Sequence, residues 1–348
     1  MRIESVVLAR RAAGLALAIL ALRLLALPVH AAEPGERPFA VVDLHVDLSY
    51  QVNFRGRSFA DGSGQFRAAD LARAGVVGAV LPLFVPRDAS PSGPRIEDLE
   101  SSYARVYGAL AATDPYRLPG CIPRAGGVRT WLAFEGAGQL AAEPGALVAW
   151  AARGVRVVGP VHTESNALAS SSRDANPSYG LTAAGRDFAR LAARLGMAVD
   201  VSHASDRATR ELLELARAER FPVVATHSNA RALADHPRNL RDAELRGIAE
   251  SGGVVGVNFH GPFLNKNGAT LADAVRQVRY LARLIGPEHV AIGADFEGDT
   301  RPPAELSDVN GYQRLARALL DAKLPRADVR KIMAENALRV LCRGGDSD

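Results

Sequence analysis

The 348-residue chain is expected to fold as a parallel (β/α)8 barrel, a reading that rests on three observations. Apolar runs of strand length recur eight times with helix-like segments between them, and the runs are near-continuous rather than alternating. Strands covered on both faces, as in parallel sheets, have that character. An ionisable or amide side chain stands just past nearly every run, where the chemistry of such barrels sits. No GxGxxG follows any run, which argues against a doubly wound open sheet with a phosphate loop.

Taken in order, the expected strands are Ala40–Leu44, Val76–Phe84, Trp131–Phe134 and Val155–Val161, then Met197–Val201, Val223–Ala225, Gly253–Asn258 and Val290–Gly293. The expected helices are Ile96–Ala112, Pro144–Ala152, Leu181–Leu195, Asp206–Ala218, Asp242–Glu250, Leu271–Ile285 and Asp308–Ala322, several opening on capping residues such as Thr182 and Asp242. Longer Pro- and Gly-rich connections at 49–66, 86–95, 113–130 and 165–180 read as rim loops. The most informative stretch is Met197–Asn239, read as strand, turn, helix, strand and turn. Its two apolar runs end at His203 and His227, and a right-handed crossover would bring both imidazoles to one rim, with Arg238 in reach.

Residues 1–31 read as an export signal. Arg10 and Arg11 precede a mostly apolar Ala12–Leu27, and Val29-His30-Ala31 fits a small-residue cleavage site. Arg23 interrupts the run, which is short for a membrane span; an uncleaved anchor is the alternative. Residues 32–348 are then one barrel domain. Of the formal charge of +4, most belongs to the arginines of the leader. The remainder has no dense basic block, which argues against a nucleic-acid partner. Cys121 and Cys342 could pair after export or stay unpaired.

The polar residues following the strands are His45 and Asp47, Glu135, His162, His203, His227, Asn258 with His260, and Asp295. His45 and Asp47 are two apart, so in extended chain both face one way. Glu135 precedes glycines and can bridge two cations with its two oxygens. Imidazole and carboxylate without thiolate suit zinc or a similar divalent metal. Asp200 reads either as a support for a ligand or as a satisfied interior acid, and His260 as an open case. His236 is expected to pack in its loop, and His289 to lie at the opposite rim.

The segments DLHVD, FEGAG, GLTAAGRDFARLAARLGMAVDVSHAS, THSNARALADHPRN, GGVVGVNF, HVAIGADFEG and ENALRVL resemble the membrane dipeptidase (renal dipeptidase) family of metallopeptidases across nearly the whole mature length. The resemblance implies a (β/α)8 barrel with two zinc ions, His45 and Asp47 on one, His203 and His227 on the other, and Glu135 bridging them. It further implies His162 beside the substrate carbonyl, Arg238 on the terminal carboxylate and Asp295 handling protons. Two zinc ions about 3.5–4 Å apart lower the pKa of a water between them and clamp a tetrahedral intermediate. The expected substrates are dipeptides, with a D-residue tolerated at the carboxyl side. A periplasmic or secreted homodimer without a stable membrane span is also implied. Glu297 stands where the family commonly has Asp, and Val46 where it often has Asn; little effect is expected of Glu297, since Asp295 is retained. Two other functions stay open: an N-acyl amino acid or lactam amidohydrolase on the same barrel, and a non-catalytic periplasmic peptide-binding protein.

Overall fold

The computed structural model describes residues 37–89, 93–117, 121 and 127–343. The expected leader at 1–31 lies outside the described residues. The strands are β1 (Val41–Asp43), β2 (Val76–Leu83), β3 (Tyr116–Arg117), β4 (Val128–Glu135), β5 (Val155–Gly159), β6 (Ala198–Asp200), β7 (Val223–Val224), β8 (Val255–Val257) and β9 (Val290–Ile292). All pairings are parallel, in the order β7-β6-β5-β4-β2-β1-β9-β8, with the two-residue β3 added beside β4. A parallel bridge from Ala225 to Val255, with Gly256 N donating to Ala225 O at 2.7 Å, joins β7 to β8 and closes the ring. Closure there requires glycine. A Cβ on Gly256 or Gly293 would lie 2.0 or 1.7 Å from the Thr226 carbonyl oxygen.

The strands alternate between two cores. Val41, Leu81, Leu132 and Phe134 join the large apolar layer beneath the surrounding helices. Val42, Val80, Trp131, Val157 and Val224 form a second cluster, the barrel interior, with Ala334, Ala337 and Leu341. Those last residues belong to a C-terminal helical run, Arg326–Leu341, which the apolar spacing did not reveal. It plugs the end of the barrel where the strands begin: Asn336 Nδ2 donates to the carbonyls of Pro287 and Val290, each at 2.8 Å. Cys342, at the end of that run, is disulfide-bonded to Cys121. The opposite end is left open at the strands' carboxyl termini.

Five of the seven expected helices appear within two residues of their expected bounds. The segment expected at Pro144–Ala152 divides into a 3-10 turn and a helix at Leu147–Ala152, and the segment expected from Asp308 begins at Gly311. Part of the expected 49–66 loop is a helix, Leu48–Phe54. Among the described residues no helix is long and apolar enough to cross a membrane.

Candidate metal centre and substrate pocket

Each expected ligand comes from the end of a barrel strand or the few residues after it. Glu135 is the last residue of β4; His162, His203, His227 and Asp295 follow β5, β6, β7 and β9 by three residues. The first strand, expected at Ala40–Leu44 with His45 just past its end, is shorter than expected, ending at Asp43. Beyond it Val46 pairs with Phe296 and is fully buried, so the flanking His45 and Asp47 still turn together toward the cavity.

The side chains converge on one oxygen. Glu135 Oε1 lies 2.9 Å from His203 Nε2, 3.2 Å from His45 Nε2, 3.5 Å from His227 Nε2 and 3.8 Å from His162 Nε2. His203 Nε2 and His227 Nε2 are 3.0 Å apart. Asp47 Oδ2 is 3.6 Å from His45 Nε2, and Asp47 is hydrogen-bonded to Asp295. Two overlapping ligand groups result: His45, Asp47 and Glu135 on one side, Glu135, His203 and His227 on the other.

The electrostatics fit a cation. Burial alone pulls the His45 imidazole down, but Glu135 and Asp47 outweigh it and raise it from 6.5 to about 10. Asp47 is pushed well up by burial and by Glu135, and Asp295 up by burial; two adjacent carboxylates hydrogen-bonded to each other need a proton between them. His203 and His227 go well down, by burial and then by neighbouring cations, which leaves their lone pairs free. His45 Nε2 is buried and aimed at two acids without a hydrogen-bond partner, as a ligand atom would be.

A polar layer behind the ligands sets their orientation. Thr226 Oγ1 donates to Asp200 Oδ2 at 2.5 Å and has no second proton. Its contacts with His227 Nδ1 at 2.8 Å and His45 Nδ1 at 3.3 Å are therefore donated by the rings. Both rings are then left with Nε2 toward the site, the atom a cation would take in place of a proton. Asp200 also accepts from Ser202 N, Ser202 Oγ and Thr226 N. It makes a third geometric group with His45 and His227, but its oxygens are already engaged by these four donors, which suits a support for those histidines better than a place on a metal. Asp43 does similar work, accepting from His45 N, both its oxygens from Ala294 N, and one from Tyr312 Oη.

A cavity of about 760 Å³ opens over these residues. Arg238 reaches it from the loop after β7, with Nη2 3.1 Å from His203 Nε2 and Nη1 buried without a partner. His162 stands between Phe84 and His203, with ring centroids 4.3 Å from each. Asn258 Nδ2 donates to Asp295 Oδ2 at 2.9 Å. His236 does more than pack in its loop: it accepts from Arg238 N at 3.1 Å and borders the cavity, as does His260. His289 sits at the far end of the barrel, bonded to Gly253 O.

Glu297 has a definite task that its sequence position did not suggest. It is 4% exposed, with Oε1 accepting from Gln65 N and Phe66 N and Oε2 ion-paired to Arg57. It thereby fastens the loop after Leu48–Phe54 to the loop carrying Asp295. Asp295, Glu297 and Asp299 all have positive φ, at 63°, 69° and 56°. Gly298, between the last two, lies against the acids: a Cβ there would be 2.4 Å from Asp47 Oδ2 and 2.9 Å from Asp295 Oδ1.

A family model for membrane dipeptidases (peptidase family M19) matches residues 32–344. An uncharacterised Klebsiella pneumoniae protein from the pqqA 5′ region is 42% identical over 220 residues, 60% of this chain and 79% of that one. The dipeptidase aclJ of Aspergillus oryzae is 34% identical over 220 residues, 62% of this chain and 51% of its own. The chain thus spans about half the length of that fungal relative. A Rhodobacter sphaeroides metallo peptidase, solved with a phosphinate mimic of the dipeptide L-Ala-D-Ala, shares the fold at a TM-score of 0.77. It is 26% identical, and the match covers 87% of this chain and 99% of that one. With the family model spanning nearly all of its residues, this chain belongs to the membrane dipeptidase family.

Proposed function

We propose that this chain is an exported dipeptidase that uses two zinc ions to hydrolyse the single peptide bond of a dipeptide. His45 and Asp47 would hold one ion, His203 and His227 the other, and Glu135 both. Bound zinc supplies a Lewis acid for the carbonyl and a water acidified to near neutral pH. The observation that carries the reading is the convergence of His45, His203 and His227 on one oxygen of Glu135, beneath a cavity with an unpartnered guanidinium nitrogen.

The chain's own groups divide the work. Arg238 Nη1 receives the substrate's terminal carboxylate, a planar fork matched to a planar anion. That fixes the length of substrate that fits between Arg238 and the ligands. Asp295 accepts the proton of the attacking water and returns it to the leaving amine, oriented for this by Asn258. Its raised affinity for a proton, caused by burial, suits a group that must hold one between steps. His162 is kept neutral by burial and faces Glu135 through Nε2, where it can stabilise negative charge developing on the carbonyl oxygen.

Export is supported by the residues 1–31 pattern and by the Cys121–Cys342 disulfide, a bond favoured in oxidising compartments. Acceptance of a D-residue at the carboxyl side is supported by the L-Ala-D-Ala mimic held by the Rhodobacter sphaeroides relative. The test is free-amine release from L-Ala-L-Ala, L-Ala-D-Ala and N-acetyl-L-Ala-L-Ala, with zinc-loaded and chelator-stripped protein. Zinc-dependent cleavage of the free dipeptides with the acetylated one spared is expected. Preferential cleavage of the acetylated compound would replace the reading with an acyl-amino-acid hydrolase. No cleavage by protein carrying two zinc ions would leave a binding protein.

A further inference from the structure

One guanidinium on the pocket wall has no place in the chemistry above. Arg173 borders the cavity from the 165–180 loop, and that loop is anchored to the site on both sides. Ser171 bridges Ala204, Ser171 Oγ donates to His162 O at 2.7 Å, and Ser172 N donates to His203 O at 2.8 Å. Arg173 is therefore presented one residue beyond a direct link to the backbone of a ligand histidine. Among the described residues no carboxylate pairs with it. Its neighbour Asp174 is engaged by Ser165 Oγ at 3.0 Å. Beside it, Ser172 borders the same cavity, while its Oγ is buried without a hydrogen-bond partner.

Arg173, Arg238 and His236 all border the cavity that Asp47, Glu135 and Asp295 also line. With Arg238 occupied by the terminal carboxylate, Arg173 remains as a second cation on the cavity wall. A neutral substrate side chain would leave it to water; an acidic one would pair with it.

We infer that the pocket selects dipeptides whose C-terminal residue carries a side-chain carboxylate, with Arg173 as the specificity-determining residue. The inference rests on the dipeptidase reading and adds the substrate class to it.

The experiment compares kcat/KM for L-Ala-Glu, L-Ala-Gln, L-Ala-Lys and L-Ala-L-Ala, each charged or amide residue in both L and D forms. It uses the zinc-loaded full chain and the Arg173→Gln and Arg173→Glu variants. The native protein is expected to favour Glu over Gln about 10-fold at low ionic strength, with the preference shrinking as salt screens an exposed charge. Arg173→Gln should bring that ratio to about one, and Arg173→Glu should turn the preference toward Lys. A ratio near one in the native protein, while L-Ala-L-Ala is cleaved, overturns the inference and leaves the dipeptidase reading standing. Equal loss on all substrates in Arg173→Gln also overturns it, because Arg173 would then be holding the terminal carboxylate. Cleavage of no dipeptide at all overturns both.

Discussion

Replacing Glu297 by Gln changes one atom type in a buried site and tests whether the Asp295 loop is held from outside the metal centre. The native carboxylate accepts from two backbone amides, Gln65 N and Phe66 N, each at 2.7 Å, and pairs with Arg57. The glutamine has one oxygen for these donors. Its amide nitrogen must face either the two N–H groups or the Arg57 guanidinium, where nothing accepts. Both side chains are largely shielded, at 18% exposed for Arg57 and 3% for Glu297. Removing one partner of a buried, hydrogen-bonded charge pair typically destabilises by about 3–5 kcal/mol. Denaturant unfolding of Glu297→Gln, Arg57→Gln and the double variant should therefore show Glu297→Gln at about that loss, with a coupling of at least about 1 kcal/mol between the positions. Because Asp295 lies two residues away in the same positive-φ run, kcat/KM for a dipeptide should fall as well. Glu297→Asp, too short to reach both amides and Arg57, should fall between. If Glu297→Gln unfolds within about 0.5 kcal/mol of the native protein, the size of an ordinary surface substitution, the latch is not an energetic feature of the fold.

Two further variants probe the ligands from behind and from beside. Thr226→Val keeps the shape of the residue but removes the oxygen that accepts from His45 and His227, so zinc affinity measured by competition with a chelator should weaken about 10–100-fold; Thr226→Ser should restore most of it, and equal affinity in all three would remove the tautomer argument. Gly298→Ala places a methyl 2.4 Å from Asp47 Oδ2 at a position flanked by two positive-φ residues, and should lower bound zinc per chain in metal analysis; full zinc content would mean that the acids yield without cost.

Much of the site was legible because a barrel turns chain order into position. A buried parallel strand shows as an apolar run, its carboxyl end lies on the open rim, and a polar residue just past it has few other places to go. That reasoning located His45, Glu135, His162, His203, His227 and Asp295 individually. It was weaker where the backbone leaves regular structure. Asp47 begins a helix rather than ending a strand, and the C-terminal plug at Arg326–Leu341 passes through a π-helical turn and is buried in the barrel interior. A π-helical turn interrupts the 3.6-residue period by which an apolar pattern shows a helix.

The sequence by itself determined most of the strands and helices, the barrel and the family, because these depend on local periodicity, residue identity and contiguous motifs. Tertiary structure alone decided the pairings. The Thr226 hydroxyl meets His227 and His45, 1 and 181 residues away, and Tyr312 reaches Asp43 across 269. Glu297 binds a loop some 230 residues earlier, and Cys121 finds Cys342 at a separation of 221. Hydrogen bonds and ion pairs act over about 3 Å, so their partners are set by barrel closure and loop path, which no local stretch of chain encodes.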